Sequence, residues 1–445
     1  GERFGLLLGD DGEEDEVFGA VGGSAWILLC NAAVFMAMTS GTRKLRRGAA
    51  IASACLILVP MVCSEARYAS YRESDDPMEV VVLQPNVDPF HKYGVEPQEG
   101  LDRRLTAMMA EAVTPETRYV ITPETFTYDI DIDHPDSNAS YLRYKAFLKD
   151  HPGTDMLLGA LTYRQFTASA KPTRSARKVG RGRWIDLYNT AMVLDSGQMY
   201  GSYVKSKLVP GVEIIPYENV LGFLGPVIRK FGGSSSSYGT QDEMDAIPDG
   251  KGGKVGVMIC YESVYGDWSR VATKKGAGLL AVMTNDGWWG DTPGYRQHFN
   301  FARLRAIENR RDVVQAANTG TSGFIDQRGD VLSKTDWWVE ATLRGTVRDT
   351  GLDLDKISDA AAHFRKVAQR LYPPVEDQSG EMESFPLEAA LHSEGAPESA
   401  PEKPESKKTK NGKKSRSKKV GKTSDYELCD TFLRSQHEDL RAVST

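Results

Sequence analysis

The sequence predicts a layered α/β domain preceded by membrane-spanning helices. Short apolar runs of strand character alternate with helical segments from residue 79 onward, and polar residues stand at the ends of those runs. Two long apolar stretches precede them. Strands that alternate with helices are typical of layered α/β folds. With 445 residues and a net charge of −6, the chain is long enough for one large domain with additional segments.

The apolar stretches stand near the N-terminus. Residues 18–38 are almost wholly apolar, and about 20 such residues span a bilayer as a helix. Residues 49–64 form a second, shorter stretch. The loop between them is basic, with Arg43, Lys44, Arg46 and Arg47. By the positive-inside rule this loop is cytoplasmic, and the chain after Ser64 begins on the outer face. A buried helical hairpin in a soluble protein is the alternative.

The chain divides into four predicted segments. Residues 1–72, which begin in an acidic run without Met, are expected to be a partial transmembrane region of a longer protein. Residues 79–348 are the globular domain, and residues 349–374 a helical extension. Residues 375–445 are charged and poor in apolar side chains, which predicts disorder. The basic run at 407–422 could contact acidic lipids or nucleic acid, but such runs are usually solvated tails, so no nucleic-acid partner is expected.

Within the globular domain, apolar runs predict a succession of elements. Strands are predicted at residues 80–83, 119–122, 156–159, 188–194, 201–204, 255–259, 279–283, 313–317 and 323–326, and helices at residues 101–113 and 299–311. The turn Asp195-Ser-Gly197 predicts a hairpin between its neighbouring strands. Residues 167–184 are basic and irregular, which predicts an exposed excursion.

Three reactive side chains stand at the ends of predicted strands: Glu124, Lys205 and Cys260. A thiol is a weak nucleophile until a base removes its proton, and a buried carboxylate can serve as that base. An ammonium group can hold the oxyanion of a tetrahedral intermediate. This scheme requires no histidine, and the histidines follow no motif that pairs them with Cys260. The spacing of the five cysteines indicates neither a metal site nor a disulfide framework.

Each candidate also has a structural interpretation. Free cysteine is among the most buried residue types, so Cys260 could simply pack a core strand. Glu124 follows a proline and could cap a helix, while Lys205 could be an ordinary solvated lysine. Glu213 and Glu262 would by default be surface carboxylates.

Two tryptophans, Trp288 and Trp289, lie side by side in the glycine-flanked segment Asn285-Asp-Gly-Trp-Trp-Gly290. The pattern is typical of a binding wall and also of a loop packed over the core. The segment alone does not decide between the two.

Taken together, the motifs resemble those of the carbon–nitrogen hydrolase, or nitrilase, superfamily, and within it the membrane family of apolipoprotein N-acyltransferases. They span residues 79–345 in the family's order. In sequence they are Val82-Leu-Gln-Pro-Asn-Val-Asp88, Thr122-Pro-Glu-Thr125, Tyr203-Val-Lys-Ser-Lys-Leu-Val-Pro-Gly-Val-Glu213, Ile259-Cys-Tyr-Glu-Ser263, Thr284-Asn-Asp-Gly-Trp-Trp-Gly-Asp291, Gln297-His298, Arg303-Leu-Arg-Ala-Ile-Glu308 and Asn318-Thr-Gly-Thr-Ser322. The resemblance implies a nitrilase-like α-β-β-α sandwich preceded by transmembrane helices.

The resemblance also implies roles for individual residues. Glu124 would be the general base, Lys205 would stabilise the oxyanion and Cys260 would be the nucleophile. Lys207 is a nearby rival, but Lys205 holds the motif position two residues after Tyr203. Supporting or substrate-binding positions would be Glu213, Tyr261, Glu262, Trp288 and Trp289.

The activity implied is acyl transfer from a phospholipid donor to the α-amine of a diacylated apolipoprotein, through a thioester on Cys260. It requires no metal or other cofactor. The implied location is the bacterial inner membrane, with the domain on the periplasmic face. One alternative is a carbon–nitrogen hydrolase that passes the acyl group to water. Another is an inactive membrane-tethered remnant.

The chain departs from the family pattern at three places. It has two membrane segments before the domain, where the family has more. A charged tail stands where the family usually has a final membrane helix. Gly211-Val212 replaces the Phe-Gly of many members. The first departure fits a truncated chain, and the second keeps the inactive remnant open.

Overall fold

The computed structural model describes residues 15–73, 76–89, 96–210, 213 and 238–350. The predicted charged tail and all but the first two residues of the predicted helical extension lie outside these residues, as do Gly211 and Val212. The described part consists of two N-terminal helices and an α/β domain.

The elements follow in chain order. The helices are α1 (Asp15–Thr39), α2 (Arg43–Ser70), α3 (Gln98–Ala112), α4 (Ala139–Lys149), α5 (Gly266–Lys274) and α6 (Pro293–Asn309). The strands are β1 (Pro77–Gln84), β2 (Thr117–Ile121), β3 (Thr127–Asp131), β4 (Asp155–Thr167), β5 (Arg177–Gly180), β6 (Arg183–Leu194), β7 (Met199–Val204), β8 (Ala246–Pro248), β9 (Lys254–Ile259), β10 (Leu279–Thr284), β11 (Val313–Ala317), β12 (Gly323–Ile325), β13 (Val331–Lys334) and β14 (Ala341–Arg348). Short 3₁₀ turns lie at Pro135–Ser137, Cys260–Val264 and Asp286–Trp289.

Two mixed sheets form the domain. In the first sheet the hydrogen-bonded order is β14-β1-β2-β4-β6-β5, with β3 also paired to β4 and β7 to β6. In the second sheet the order is β13-β12-β11-β10-β9-β8. Strands β1, β2 and β4 are parallel, as are β9, β10 and β11. The carboxyl ends of parallel strands meet at one edge of a sheet, where α/β folds bind ligands.

The alternation of side chains along β1 explains the layering. Val80 and Val82 belong to a core shared with strands of the second sheet and with α5 and α6. Val81 and Leu83 pack instead with α3 and α4. Successive side chains of a strand point to opposite faces, so each sheet can bury both of its faces. The result is the α-β-β-α sandwich that the family resemblance implies.

Helices α1 and α2 pack against each other, and Trp26 Nε1 donates to the carbonyl oxygen of Leu56 at 2.8 Å. Both are long and apolar enough to cross a membrane by length and composition. Their apolar side chains are largely exposed, with Phe35 at 66% and Val62 at 67%. The described part of the chain does not cover these side chains, which favours membrane-spanning helices over a buried helical hairpin.

The basic cluster between the apolar stretches is helical rather than a loop. The Thr42 hydroxyl caps α2 by accepting from the Leu45 amide at 3.4 Å. The four basic side chains consequently lie in the first turns of α2, at Arg43, Lys44, Arg46 and Arg47. Lysine and arginine have good helix propensity, so a cluster of these residues can begin a helix and does not by itself indicate a loop.

Every strand and helix predicted within residues 79–348 overlaps an observed element of the same type. The predicted hairpin is confirmed, since β6 and β7 pair antiparallel across the turn. The exposed excursion predicted at residues 167–184 is wrong in part. Strand β5 lies within it and pairs with β6. Basic side chains on a short edge strand are common because they discourage further strand pairing, and they hid this strand from the sequence pattern.

The segment that follows α2 is fixed to the domain by polar contacts. The Tyr71 hydroxyl donates to Gln327 Oε1 at 2.8 Å. Glu73 accepts from Arg328 Nε at 3.0 Å and also pairs with Arg348. These contacts hold the domain at a defined position relative to the end of the apolar helix.

Next to this junction, burial raises the pKa of Asp312 to about 6. The carboxylate accepts from the Arg348 amide at 2.7 Å. Between about pH 4 and pH 6 the folded protein keeps a proton that the unfolded chain releases, so stability falls as the pH rises through this window. We expect Asp312→Asn to stabilise the chain by about 2 kcal/mol at pH 8, and much less at pH 4. Thermal unfolding in detergent measures both, and an equal effect at the two pH values would contradict the assignment.

Candidate active site

The centre of the site is the turn that follows β9. Cys260 is the first residue after Ile259, and it opens the 3₁₀ turn Cys260–Val264. Its φ is +53°, in the left-handed region that non-glycine residues rarely adopt. Cys260 is only partly buried as a residue, although it packs against the core. Its strained backbone at a strand end distinguishes it from an ordinary core cysteine and is suited to nucleophilic chemistry.

Glu262 anchors this turn from within. Its Oε1 accepts from the Tyr203 hydroxyl at 2.6 Å and from the amides of Ser206 and Lys207 at 2.8 and 3.0 Å. Its Oε2 accepts from the Ile259 amide at 2.9 Å. Burial raises the pKa of Glu262, and these hydrogen bonds offset part of the rise. The interpretation as a surface carboxylate is wrong: Glu262 ties the end of β7 to the cysteine turn.

Lys205 lies between two carboxylates. Its Nζ donates to Glu124 Oε1 at 3.1 Å and to Glu213 Oε1 at 2.8 Å. Only 1% of Lys205 is exposed, so it is not a solvated lysine. Burial lowers the pKa of Lys205, but the negative charges of Glu124 and Glu213 outweigh burial and raise it well above its ordinary value. The ammonium therefore keeps its charge at every physiological pH.

Glu124 and Glu213 are both held as hydrogen-bond acceptors. Glu124 is buried and accepts from Asn189 Nδ2 at 2.7 Å. Strand β3 and not a helix follows it, so Glu124 does not cap a helix. Glu213 Oε2 accepts from the Val209 amide at 2.9 Å, which orients the carboxylate toward Lys205. The rival lysine, Lys207, has its Nζ 4.4 Å from the centre of the Trp268 ring.

The electrostatics of Cys260 connect it to both groups. Burial raises the pKa of the Cys260 thiol, the Glu124 carboxylate raises it further, and the Lys205 ammonium partly offsets the rise. The resting thiol is therefore neutral at pH 7. Such a thiol attacks a carbonyl only when a base takes its proton as the reaction begins.

A second cluster beside Cys260 was missed by the sequence interpretation. His298 Nδ1 lies 2.9 Å from Asp286 Oδ1, and His298 Nε2 lies 2.8 Å from the carbonyl oxygen of Cys260. The Ser263 hydroxyl lies 2.8 Å from the same Nε2. Donor atoms of Cys260, Asp286 and His298 lie within 4.8 Å of one another, a spacing that also suits a metal ion. Both ring nitrogens of His298 already face hydrogen-bond partners, which favours a hydrogen-bonded cluster over a metal site.

The signal for this cluster was present in the sequence but had no assigned role. Gln297-His298 was recognised as a family motif on the helix now seen as α6. His298 is 38 residues from Cys260 in the chain, and their contact depends on how α6 packs against the turn. A local pattern cannot reveal such a contact.

The aromatic residues border the same region. Trp288 and Trp289 are 45% and 36% exposed, so they do not form a loop buried over the core. The Trp289 ring meets the His298 ring edge to face at 5.2 Å between centroids. Tyr261 is partly buried and meets Tyr265 edge to face at 5.5 Å.

Comparison with known proteins gives a consistent picture. Residues 80–356 match the carbon–nitrogen hydrolase family. An apolipoprotein N-acyltransferase of Chlorobaculum tepidum is 28% identical over 75% of this chain and 63% of its own length. One of Allorhizobium ampelinum is 33% identical over 68% of this chain and 54% of its own length. The chain thus spans somewhat more than half of these curated relatives.

Solved structures of similar fold have more distant sequences. Nit3 of Saccharomyces cerevisiae, from branch 10 of the nitrilase superfamily, is 16% identical with a TM-score of 0.44, covering 69% of this chain and 99% of its own. A carbon–nitrogen hydrolase from Helicobacter pylori is 17% identical with a TM-score of 0.40, covering 66% and 95%. At this level of identity the likeness concerns the fold alone.

Proposed function

The chain belongs to the carbon–nitrogen hydrolase family, and from this we propose that it transfers a fatty acyl chain from a membrane phospholipid to the N-terminal amine of a diacylated apolipoprotein. The observation that carries the proposal is the pair of charged groups acting on one thiol. Lys205 contacts Glu124 at 3.1 Å, and both groups act electrostatically on Cys260. The names of the curated relatives support the choice of substrates.

In the first half-reaction Glu124 takes the thiol proton while Cys260 Sγ attacks the ester carbonyl of the phospholipid. The carbonyl oxygen becomes an oxyanion, and the Lys205 ammonium stabilises it. Preorganised charge of this kind in a dry site is typically the largest contribution to catalysis. Collapse of the intermediate breaks the C–O bond, and Glu124 returns the proton to the departing lysophospholipid. An acyl thioester remains on Cys260.

In the second half-reaction the α-amine of the diacylglyceryl-cysteine attacks the thioester carbonyl. Lys205 again stabilises the oxyanion, and Glu124 accepts the proton of the amine. The C–S bond breaks, an amide forms and the thiolate recovers a proton from Glu124. Atoms and charges balance without a metal or other cofactor, so the residues of the chain account for every proton.

The proposed location follows from the substrates and from α1 and α2. Both substrates are lipids anchored in a bilayer, and the exposed apolar side chains of the two helices suit the same environment. We place the chain in a bacterial inner membrane with the domain on the periplasmic face, in agreement with the four basic residues at the start of α2.

Trp288 and Trp289 are proposed to border the lipid entrance, because exposed aromatic side chains suit a membrane interface. Replacing both by Ala should reduce kcat/KM for phospholipid by about tenfold, mostly through KM, because such a wall binds ground and transition states alike. Alkylation of Cys260 by iodoacetamide should change much less. Leu142→Ala, which removes an exposed apolar side chain of α4, is the matched control. Unchanged phospholipid turnover in the double variant would remove this role.

The proposed activity is tested with the full chain in phospholipid vesicles and a diacylated lipopeptide. The expected product is an N-acylated peptide, formed together with lysophospholipid. Free fatty acid without acylated peptide would identify a hydrolase in place of a transferase. No turnover of either kind, by a chain whose circular dichroism shows it folded, would contradict the proposal and support the inactive remnant.

A further inference from the structure

The backbone at Cys260 is strained and is held by specific donors. A non-glycine residue at φ +53° costs free energy and persists only where its surroundings fix it. The carbonyl oxygen of Cys260 accepts from the Ser263 hydroxyl at 3.0 Å and faces His298 Nε2 at 2.8 Å. These two side chains therefore oppose relaxation of the turn that aims the thiol.

The hydrogen-bond partners of His298 assign its protonation. Nε2 faces the Cys260 carbonyl oxygen and the Ser263 hydroxyl, each at 2.8 Å. The carbonyl only accepts, and the Ser263 hydroxyl donates its proton to that same carbonyl, so Nε2 carries a proton. Nδ1 faces Asp286 Oδ1 at 2.9 Å, and a carboxylate also only accepts. With a proton on each nitrogen, the ring is an imidazolium. Thr284 Oγ1 donates to the same Asp286 oxygen at 2.7 Å, which fixes the carboxylate.

The charge of His298 is set by groups on three elements. Burial lowers the pKa of His298, but the ion pair and hydrogen bond with Asp286 outweigh burial, and the Cys260 carbonyl oxygen and the Glu124 charge add to the rise. His298 is 1% exposed, so water screens this charge little. A buried cation thus lies within 4.8 Å of the Cys260 sulfur, as does the Asp286 carboxylate, whose negative charge raises the pKa of the thiol.

We propose that His298, oriented by Asp286, is a positioning residue that locks the left-handed turn at Cys260 and places a fixed positive charge behind the nucleophile. The cation favours the thiolate over the thiol when Glu124 takes the proton. The inference deepens the proposed function in that it rests on Cys260 being the nucleophile. It does not depend on which acyl donor or acceptor is used.

The test compares His298→Leu and His298→Gln with the natural chain, purified whole in detergent. The measurement is the rate of Cys260 alkylation by iodoacetamide between pH 5.5 and 9.5, read by peptide mass spectrometry to separate Cys260 from the other cysteines. For His298→Leu we expect a rate about tenfold lower throughout this range, because loss of a nearby cation raises the pKa of the thiol by about one unit. The Gln amide can still donate to the Cys260 carbonyl, so His298→Gln should recover most of kcat for acyl transfer but keep the lowered rate of alkylation.

A merely structural role predicts something different. If His298→Leu is alkylated at the natural rate across this range, or if His298→Gln restores alkylation together with kcat, the inference is wrong even if acyl transfer is impaired in His298→Leu. Should His298→Leu fail to fold, His298→Gln alone decides, because it also removes the cation: alkylation at the natural rate in that variant overturns the inference. Alkylation requires no lipid, so a chain with the expected profiles but without phospholipid turnover would contradict the proposed function and leave this inference standing.

Discussion

Lys205→Met is expected to lower kcat for acyl transfer by about 10³-fold, the scale seen when one oxyanion donor is removed. The ammonium lies between the buried carboxylates of Glu124 and Glu213, and it is the group proposed to stabilise the oxyanion. Its removal also leaves Glu124 and Glu213 facing each other without the cation that both contact. A broken buried ion pair typically costs about 3–5 kcal/mol, so thermal unfolding should also occur at lower temperature.

Lys207→Met is the matched control for this experiment. The two lysines are two residues apart, but the Lys207 side chain lies over the Trp268 ring and not among the carboxylates. Its hydrogen bond to Glu262 uses the backbone amide, which the substitution preserves. The control variant should keep kcat within about threefold, as surface-type substitutions usually do. A larger loss for Lys207→Met than for Lys205→Met would exchange the roles of the two lysines.

Glu124→Gln is expected to lower kcat by about 10²- to 10⁴-fold, the usual contribution of a general acid–base group. The same substitution should have the opposite effect on simple alkylation. Burial is the largest cause of the raised pKa of the Cys260 thiol, and the Glu124 charge is the next. Removing that charge therefore lowers the pKa of the thiol. Iodoacetamide should consequently react faster with Cys260 at pH 7.5 while acyl transfer nearly stops.

Glu213→Gln distinguishes the two carboxylates. Glu213 contacts Lys205 as closely as Glu124 does, but Cys260 is influenced electrostatically by Glu124. We expect a loss of kcat well below that of Glu124→Gln, together with an unchanged pH profile of alkylation. A loss in Glu213→Gln equal to that in Glu124→Gln would leave the base unassigned between them.

Much of the fold could be predicted because its strands are buried on both faces. Runs such as Val80–Leu83 and Leu279–Met283 are continuous apolar segments, and such segments are recognisable without any partner. Strands β3, β5, β8, β13 and β14 escaped prediction. Strands β5, β8, β13 and β14 lie at sheet edges, where strands are short or exposed and charged side chains interrupt the pattern, and β3 has two aspartates among its five residues.

The candidate site could be predicted where its residues stand directly after strands. Glu124, Lys205 and Cys260 each follow a strand, and the topology brings strand ends together. Residues that act through packing were not predictable in the same way. Nothing in the sequence around Glu262 distinguishes it from a surface carboxylate. His298 has no neighbour in the chain that indicates its contact with Cys260. Their partners come from distant segments, so only the folded chain reveals them.

The most direct test is the covalent state of Cys260 after exposure to phospholipid without acceptor peptide. Intact-protein and peptide mass spectrometry should find one acyl chain on Cys260, removable by hydroxylamine as expected for a thioester, and lost when a diacylated lipopeptide is added. The acyl group should then appear on the α-amine of the peptide. An N-acylated peptide formed by the Cys260→Ala variant, or natural chain that turns over phospholipid with Cys260 never acylated, would contradict the proposed thioester route.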